Sequence, residues 1–260
     1  MIRLSKEDLE FIRPYDYQNL VRIGSEGDGG YLLPQDVIKD ITCCISFGIG
    51  YNHEFENHLQ KLVKNLRVAG FDHSVGVLYF GRLAINGLFK LLLLKGSMSE
   101  FKERSKRFLI FLHFWVINKN NRHKKIKVSE LNVIDIFNNF KDEVTLLKID
   151  IEGSEWEIFP KIEDRLENVV CIILEFHEVS KNLANLKNIV KNLEQTHSLA
   201  HLHINNFSPP INTGVPDFIE VTFVQKKYQQ SDIMRNELPL MNLDKKTMPN
   251  LEDFSIVFGN

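Results

Sequence analysis

Acidic residues follow a short apolar strand in the middle of the chain. Leu146 to Ile149 are typical of a buried strand, and Asp150 and Glu152 come directly after it, with Gly153 before a helix. In an α/β sheet, ligands bind at the carboxyl ends of the strands. We therefore expect Asp150 and Glu152 to line a site. Acids such as Glu152 and Glu155 at the start of a helix also stabilise its dipole, whatever the function.

Polar side chains also follow two later strands. Residues 169–176 and 199–206 each predict a strand that ends in acidic, imidazole or amide groups. His177 is a candidate general base, and Glu175, His203, Asn205 and Asn206 are candidates for binding a substrate. Imidazole titrates near neutral pH, and amides suit hydroxyl groups. The competing interpretation makes His177 a structural hydrogen-bonding residue and gives the amides a turn-capping role.

A glycine-rich turn earlier in the chain predicts a second binding element. Gly48 and Gly50 follow the apolar run 41–47, and glycine allows a tight turn and close approach to a ligand. Asp72 comes 22 positions after Gly50, close to the spacing at which an acid meets ribose hydroxyls. The spacing also suits NAD, but His53 stands where the third glycine of that fingerprint belongs. The alternative is a turn that only joins strand to helix.

The ordered set of motifs resembles one enzyme family. The string Leu146-Leu147-Lys148-Ile149-Asp150-Ile151-Glu152-Gly153-Ser154-Glu155-Trp156-Glu157 resembles the hallmark of the FkbM-like S-adenosylmethionine-dependent O-methyltransferases. Further similar segments are Arg22-Ile23-Gly24 with Asp28-Gly29-Gly30-Tyr31, Ile45 to Tyr51, Val68 to Asp72, His203 to Asn206 and Pro216 to Phe223. The first of these resembles the signature of a bacterial branch that acts on surface-polysaccharide sugars.

The resemblance implies a fold and a cofactor. The fold is α/β, with a Rossmann-like sheet of seven strands, six parallel and the last antiparallel, helices on both faces and a helical insertion. The cofactor is S-adenosyl-L-methionine, bound by Gly48, Gly50 and Asp72. The loop that carries Asp28 and Tyr31 is expected to close over it.

Methyl transfer to an unactivated hydroxyl is an in-line displacement that needs alignment and a general base. The predicted catalytic residues are Asp150, His177 and Glu152, with His177 or Asp150 as the base or Asp150 orienting it. Glu175, His203, Asn205 and Asn206 are predicted to bind the acceptor. Asp150 and Glu175 could also hold Mg²⁺, but the resemblance requires no metal and we expect none.

The acceptor implied by the resemblance is a sugar hydroxyl, on a nucleotide-activated heptose or hexose for capsule or lipopolysaccharide. Alternatives are a phosphoramidate or natural-product acceptor, an NAD-dependent nucleotide-sugar enzyme, or a non-catalytic partner that keeps the fold. The NAD-dependent enzyme predicts a Tyr-x-x-x-Lys pair, and no Tyr in the chain is followed by Lys four positions later.

The chain is predicted to hold one methyltransferase domain, residues 41–226, between an N-terminal extension, 1–40, and a polar tail, 227–260. The extension should be helical at Lys6 to Ile12. Predicted strands are 41–47, 66–71, 126–128, 146–149, 169–176, 199–206 and 217–226, and predicted helices are 53–65, 132–140 and 181–194. The tail should wrap the surface or form an oligomer contact. Residues 74–125 interrupt the pattern with two apolar segments, which predict an inserted helical pair.

Charge is distributed unevenly along the chain. The formal net charge of −2 argues against a general nucleic-acid binder, yet residues 81–130 hold 12 Lys/Arg and 3 Asp/Glu. This region is either a solvated face or a surface for phosphates or an anionic membrane. We expect the insertion to contact another subunit or cap the site. The cations expected to face substrate phosphates are Arg104, Lys106, Arg107, Lys124 and Lys125.

The cysteines and the termini favour a cytoplasmic protein, with contact to the inner membrane surface as an option. Cys43, Cys44 and Cys171 lie in apolar runs without metal spacing, so we expect reduced core residues. The N-terminus has no apolar segment of a signal peptide. The most apolar run, Leu83 to Leu94, is too short to span a bilayer.

Overall fold

The computed structural model describes residues 2–4, 9–207 and 215–258. The N-terminal region holds β1 (Ile2–Arg3), a hairpin of β2 (Leu20–Gly24) and β3 (Gly30–Pro34), and α1 (Gln35–Asp40). The predicted helix from Lys6 to Ile12 falls partly outside the described residues, and Glu10–Ile12 form one short 3₁₀ turn. Leu32 and Leu33 are buried, so the hairpin is part of the folded core.

The next segment is a βαβ unit followed by the insertion. Its elements are β4 (Cys43–Phe47), α2 (Glu54–Leu62), β5 (Arg67–Phe71), α3 (Val77–Leu92), α4 (Met98–Leu112) and β6 (Asn121–Lys124). The helical pair is confirmed, and His113–Ile117 continue α4 as a π-helical turn. The strand predicted at 126–128 was wrong, because the polar segment Asn121–Lys124 pairs with β5 instead. Strands were predicted from apolar runs, and an edge strand with solvated side chains has no such run.

The remaining elements of the sheet follow in regular alternation. They are α5 (Val133–Asn138), β7 (Thr145–Ile149), α6 (Glu155–Ile158), β8 (Val169–Phe176), α7 (Val179–Leu193), β9 (His197–Ile204) and β10 (Ile219–Gln225). The sheet order is β6-β5-β4-β7-β8-β10-β9, with β10 antiparallel to both neighbours and the other pairs parallel. The predicted seven strands with one antiparallel member are confirmed.

Alternate residues of a strand point to opposite sides of the sheet. Because the strands are apolar on both sides, helices cover both faces. Cys43, Ile45 and Phe47 of β4 belong to one core, with apolar residues of α5, α6 and α7. Cys44 belongs to the other core, with residues of α1, α2 and the insertion. All three cysteines are free and buried, as expected.

The C-terminal tail packs against the rest of the same chain and forms a small sheet with β1. It contains β11 (Glu237–Leu238) and β12 (Phe254–Val257), and β12 pairs with both β11 and β1. Phe254, Ile256 and Phe258 join the core. Of the two alternatives for the tail, the described residues follow the surface of the same chain. Among the described residues, no helix is long and apolar enough to cross a membrane.

Candidate active site

The glycine turn after β4 lines a cleft at the carboxyl edge of the sheet. Gly48 and Gly50 have left-handed φ values of 78° and 50°. A Cβ on Gly48 would lie 1.7 Å from the Asp150 carbonyl oxygen, so only glycine fits there. The cleft has a volume of about 360 Å³. Six predicted site residues contribute to its wall: Asp28, Gly48, Gly50, Asp72, Asp150 and Glu152.

Asp72 supports the glycine turn directly. Its Oδ2 accepts hydrogen bonds from the backbone N–H groups of Ile49 (3.0 Å) and Gly50 (2.9 Å), and its Oδ1 accepts two from Ser74 (2.7 and 2.6 Å). Burial alone would raise the pKa of Asp72, but these bonds outweigh it and lower the pKa. Because a carboxylate offers about four lone-pair positions, a ribose hydroxyl must share or displace one of these donors.

The loop between β2 and β3 forms another wall of the cleft. Arg22 donates to the carbonyl oxygens of Ser25 and Gly27, both at 2.8 Å, which fixes the loop. The Asn52 side chain donates to the Asp28 carbonyl at 3.2 Å. Tyr31 differs from its prediction as a cofactor residue, because it is buried beneath the cleft wall in an edge contact with Phe55 at 5.3 Å.

Lys148 connects the glycine turn to Asp150. Residues two apart at the end of a strand project to the same side, and Lys148 Nζ donates to the Gly48 carbonyl (3.0 Å) and to Asp150 Oδ2 (3.3 Å). Burial disfavours an ammonium, but the neighbouring acidic groups, Asp150 first among them, outweigh burial and raise the pKa of Lys148. Lys148 therefore stays charged and keeps Asp150 in place beside the turn.

Glu155 holds His177 in one orientation. Its Oε1 accepts from the His177 backbone N–H and lies 2.7 Å from His177 Nδ1, and its Oε2 accepts from the Gly153 N–H at 2.9 Å. Glu155 itself is fully buried. Burial lowers the pKa of an imidazole, but Glu155 outweighs burial, so the pKa of His177 is raised. With the Nδ1 proton assigned to this bond, Nε2 is the nitrogen that can accept a proton.

Beyond Asp150 lies a buried group of polar side chains. Glu175 on β8 and His203 on β9 are both register partners of Glu220 on β10. Asn205 Nδ2 donates to Glu175 Oε1 (3.1 Å) and Glu220 Oε1 (3.4 Å), and His203 Nδ1 lies 3.2 Å from Glu220 Oε2. Burial, Asp150 and Glu220 raise the pKa of Glu175 well above its usual range. Burial opposes a charged His203, but Glu220 outweighs it and raises the pKa to about 9.

Two predicted residues occupy other places. Glu152 has a φ of 55° and an 88% exposed side chain, and its Oε2 lies 3.5 Å from His177 Nε2 at the mouth of the site. Asn206 donates to the Met248 carbonyl (3.0 Å) and accepts from the Met248 N–H (2.7 Å), so its amide anchors the tail. The contacts of Asn206 therefore match the structural interpretation, whereas Asn205 lies in the polar group.

Three side chains are close enough to share a cation. Asp150, Glu175 and His177 each offer one ligand atom, and these atoms lie within 4.8 Å of one another. Oxygen and imidazole ligands of this kind bind divalent metals. Against this, Lys148 already neutralises Asp150, and a carboxyl group that favours its neutral form, as Glu175 does, is a poor ligand. The expectation of a metal-free site stays a prediction.

The five cations predicted to face substrate phosphates are divided among several surfaces. Lys106 and Arg107 line a second cleft of about 720 Å³, which borders α2 and shares Tyr51 and Asn52 with the cleft at the glycine turn. Arg104 pairs with Glu100 at 2.6 Å. Lys124 covers the Phe71 ring and Lys125 lies near Gly76. Lys127, which was not predicted, lines the cleft at the glycine turn.

Three residues of the site received no specific role from the sequence: Lys148, Glu155 and Glu220. A lysine two positions before Asp150 in an apolar strand is a usable signal, since a buried lysine needs partners. Glu220 gives the same signal in β10. Glu155 and His177 are 22 residues apart in the sequence, so their contact cannot be inferred from local pattern. Because Glu155 begins a helix, the sequence suggested only that it stabilises the helix dipole.

Comparison with known proteins gives the family. Residues 41–208, more than half of the chain, match the model of the methyltransferase FkbM domain. No curated protein matches the chain in sequence. Among solved structures, precorrin-6y C5,15-methyltransferase from Geobacter metallireducens is 14% identical, with a TM-score of 0.39 over 72% of this chain and 82% of that one. Aeropyrum pernix fibrillarin, solved with S-adenosyl-L-methionine, is 10% identical, with a TM-score of 0.39 over 74% and 70%.

The donor cleft fits the cofactor of this family. Gly48, Gly50 and the Asp72 carboxylate form the polar wall of the cleft, and Ile126 and Val128 form apolar wall; binding of ribose by Asp72 stays a prediction. The NAD-dependent alternative is excluded by the family match. The chain belongs to the FkbM-domain family of S-adenosylmethionine-dependent methyltransferases.

Proposed function

We propose that this methyltransferase acts on a hydroxyl group of a sugar, and that the acceptor is a nucleotide-activated heptose or hexose used for capsule or lipopolysaccharide. The observation that carries O-methylation is the Glu155–His177 pair next to Asp150. An imidazole fixed through Nδ1 by a buried carboxylate, 2.7 Å away, is a general base for a hydroxyl proton. Asp150 lies both in this group and in the wall of the donor cleft.

Bound S-adenosylmethionine supplies an electrophilic methyl group. The acceptor oxygen forms the new carbon–oxygen bond as the carbon–sulfur bond breaks, and the electron pair of that bond stays with sulfur. The hydroxyl proton passes to His177 Nε2, and Glu155 stabilises the resulting imidazolium. Asp150, held by Lys148, orients the hydroxyl through a hydrogen bond.

A sugar acceptor is supported by the mixture of donors and acceptors near the base. The Glu175 carboxyl can accept, or donate when it carries a proton, and His203 donates when charged, whereas the Asn205 amide is engaged by Glu175, Glu220 and the Phe207 N–H. Polyols need such alternating partners for adjacent hydroxyls. A nucleotide diphosphate on the acceptor is supported by Lys127 in the cleft wall and by the basic excess of residues 81–130.

The test is transfer of a labelled methyl group to a defined acceptor panel. The panel contains nucleoside-diphosphate heptoses and hexoses, the same sugars without the nucleotide, a phosphoramidate and a phenol, and NMR locates the methyl group. We expect transfer to one hydroxyl of a nucleotide sugar, lost in His177→Ala and kept in His113→Ala, an exposed histidine outside the site. Transfer only to the phosphoramidate, the phenol or a nitrogen atom would contradict the proposal.

A further inference from the structure

Helix α3 carries apolar residues on two opposite sides. On the inner side, Phe80 stacks near Phe111 of α4, with ring centroids 4.7 Å apart. Gly87 allows close approach of α4, because a Cβ there would lie 3.4 Å from the Phe101 Cα. The inner side therefore packs α3 against α4.

The outer side of α3 has no partner among the described residues. Leu78, Ile85, Phe89 and Leu92 follow the spacing i, i+7, i+11 and i+14, which places them on one helical face. Their exposed fractions lie between 55% and 75%. A contiguous exposed apolar stripe of this kind marks a contact surface.

The charge around this stripe has a single sign. Residues 73–99 contain no Asp or Glu, and their charged residues are Arg82, Lys90 and Lys95. The hairpin from 77 to 112 holds seven Lys/Arg and two Asp/Glu. Both acids are paired within α4. In the described part of the chain, Arg82 and Lys95 form no ion pair, so their charges are available to an external partner.

We infer that the outer face of α3 docks on an anionic lipid surface. An interfacial amphipathic helix places its apolar face at the boundary of headgroups and acyl chains, and cations beside it attract anionic lipids. A second copy of the chain fits this surface less well, since a symmetric contact would set two basic faces against each other. The inference does not depend on the identity of the methyl acceptor.

The test uses the full chain and sedimentation with vesicles. One set of vesicles contains phosphatidylglycerol in phosphatidylcholine, and the other contains phosphatidylcholine alone. The apolar variant is Leu78→Ser/Phe89→Ser/Leu92→Ser, and its control replaces three other exposed apolar residues, Leu131→Ser/Ile233→Ser/Met241→Ser. The charge variant is Arg82→Glu/Lys95→Glu, with Lys64→Glu/Lys191→Glu, two exposed lysines elsewhere, as control.

We expect the wild type to bind the anionic vesicles at least about tenfold more tightly than the neutral ones. Each test variant should lose about tenfold or more of this binding, and each control should keep it. The substituted side chains are exposed, and a thermal-unfolding measurement checks that each variant folds. Equal binding by wild type and the apolar variant would overturn the inference. So would a wild-type dimer in light scattering that the apolar variant dissociates, without vesicle binding by either.

Discussion

The glycine turn, on the proposed donor side, and the polar group beyond Asp150, on the proposed acceptor side, are held by different kinds of contact. On the donor side, Asp72 accepts hydrogen bonds from the backbone of the glycine turn and from Ser74. None of these partners changes charge. On the side that we propose for the acceptor, Asp150 in the cleft wall and the buried Glu175 and His177 beyond it contact other ionisable groups, among them Lys148 and Glu155.

This difference separates positioning from proton transfer. Backbone donors keep their geometry at every pH in the working range, so the donor side acts as a fixed frame. Ionisable neighbours shift one another's pKa, which is the arrangement expected where a proton must move. Substitutions on the donor side should therefore change affinity, and substitutions on the acceptor side should change turnover.

The largest effect is expected from removing the base. His177→Ala should lower kcat by about 10²–10⁴-fold, the usual contribution of a general base, and Asp150→Asn should lower it in the same direction. Donor affinity, measured by calorimetric titration with S-adenosylhomocysteine, should stay nearly intact in both. If both variants keep wild-type turnover on the true acceptor, the base lies elsewhere, and the proposed division between the donor and acceptor sides is wrong.

Removing only the charge that orients His177 should have a smaller effect. Glu155→Gln keeps the shape but weakens a charge-assisted hydrogen bond, which contributes about 1.5–3 kcal/mol, so kcat should fall about 10- to 100-fold. The pH profile identifies the cause, because Glu155 raises the pKa of His177. The acid limb of kcat/KM should move to lower pH in this variant. A loss of rate with an unmoved limb would indicate a purely structural role.

A substitution on the donor side should change affinity rather than turnover. Asp72→Ala should weaken S-adenosylhomocysteine binding by about 1–3 kcal/mol through loss of hydrogen bonds to a charged group. At saturating donor, kcat should change far less than in His177→Ala. Ser74→Ala serves as the control, because it removes one partner of Asp72 and keeps the carboxylate. Unchanged affinity in Asp72→Ala would remove Asp72 from the donor site.

The pH dependence of the wild type follows from the same contacts. The pKa of His177 is raised above 6.5, and only the neutral imidazole can accept the proton. The base form is lost as pH falls through this pKa, so log kcat/KM should fall with a slope of about one per pH unit on the acid side. The limb should lie above pH 6.5. A limb below pH 6 would mean that another group accepts the proton.

The sequence predicted the strand ends and turns of the site better than the contacts between its side chains. The strand ends at Asp150 and Glu175 and the turn at Gly48 follow from local patterns, because apolar runs and glycine report on strands and turns directly. The strand at 126–128 was wrong because the edge strand Asn121–Lys124 has no such run.

Contacts between distant segments were not predictable in this way. Glu155 approaches His177 only because α6 starts beside the end of β8, and Asn206 anchors the tail only because that segment returns across β9. Local pattern assigned both residues plausible but different roles. Register between β8, β9 and β10 likewise decides that Glu220 meets Glu175 and His203.

Metal removal should have the smallest effect and tests the acceptor side as a whole. Asp150, Glu175 and His177 could share a divalent cation by distance alone. Lys148 Nζ, however, already places a positive charge 3.3 Å from Asp150 Oδ2, and a second cation beside it would be repelled. Activity after EDTA treatment and gel filtration should therefore stay within about twofold of the untreated enzyme, whereas an effect of general-base size would be far larger. A tenfold loss that Mg²⁺ or Mn²⁺ restores would show that activity needs a metal and would contradict the metal-free mechanism.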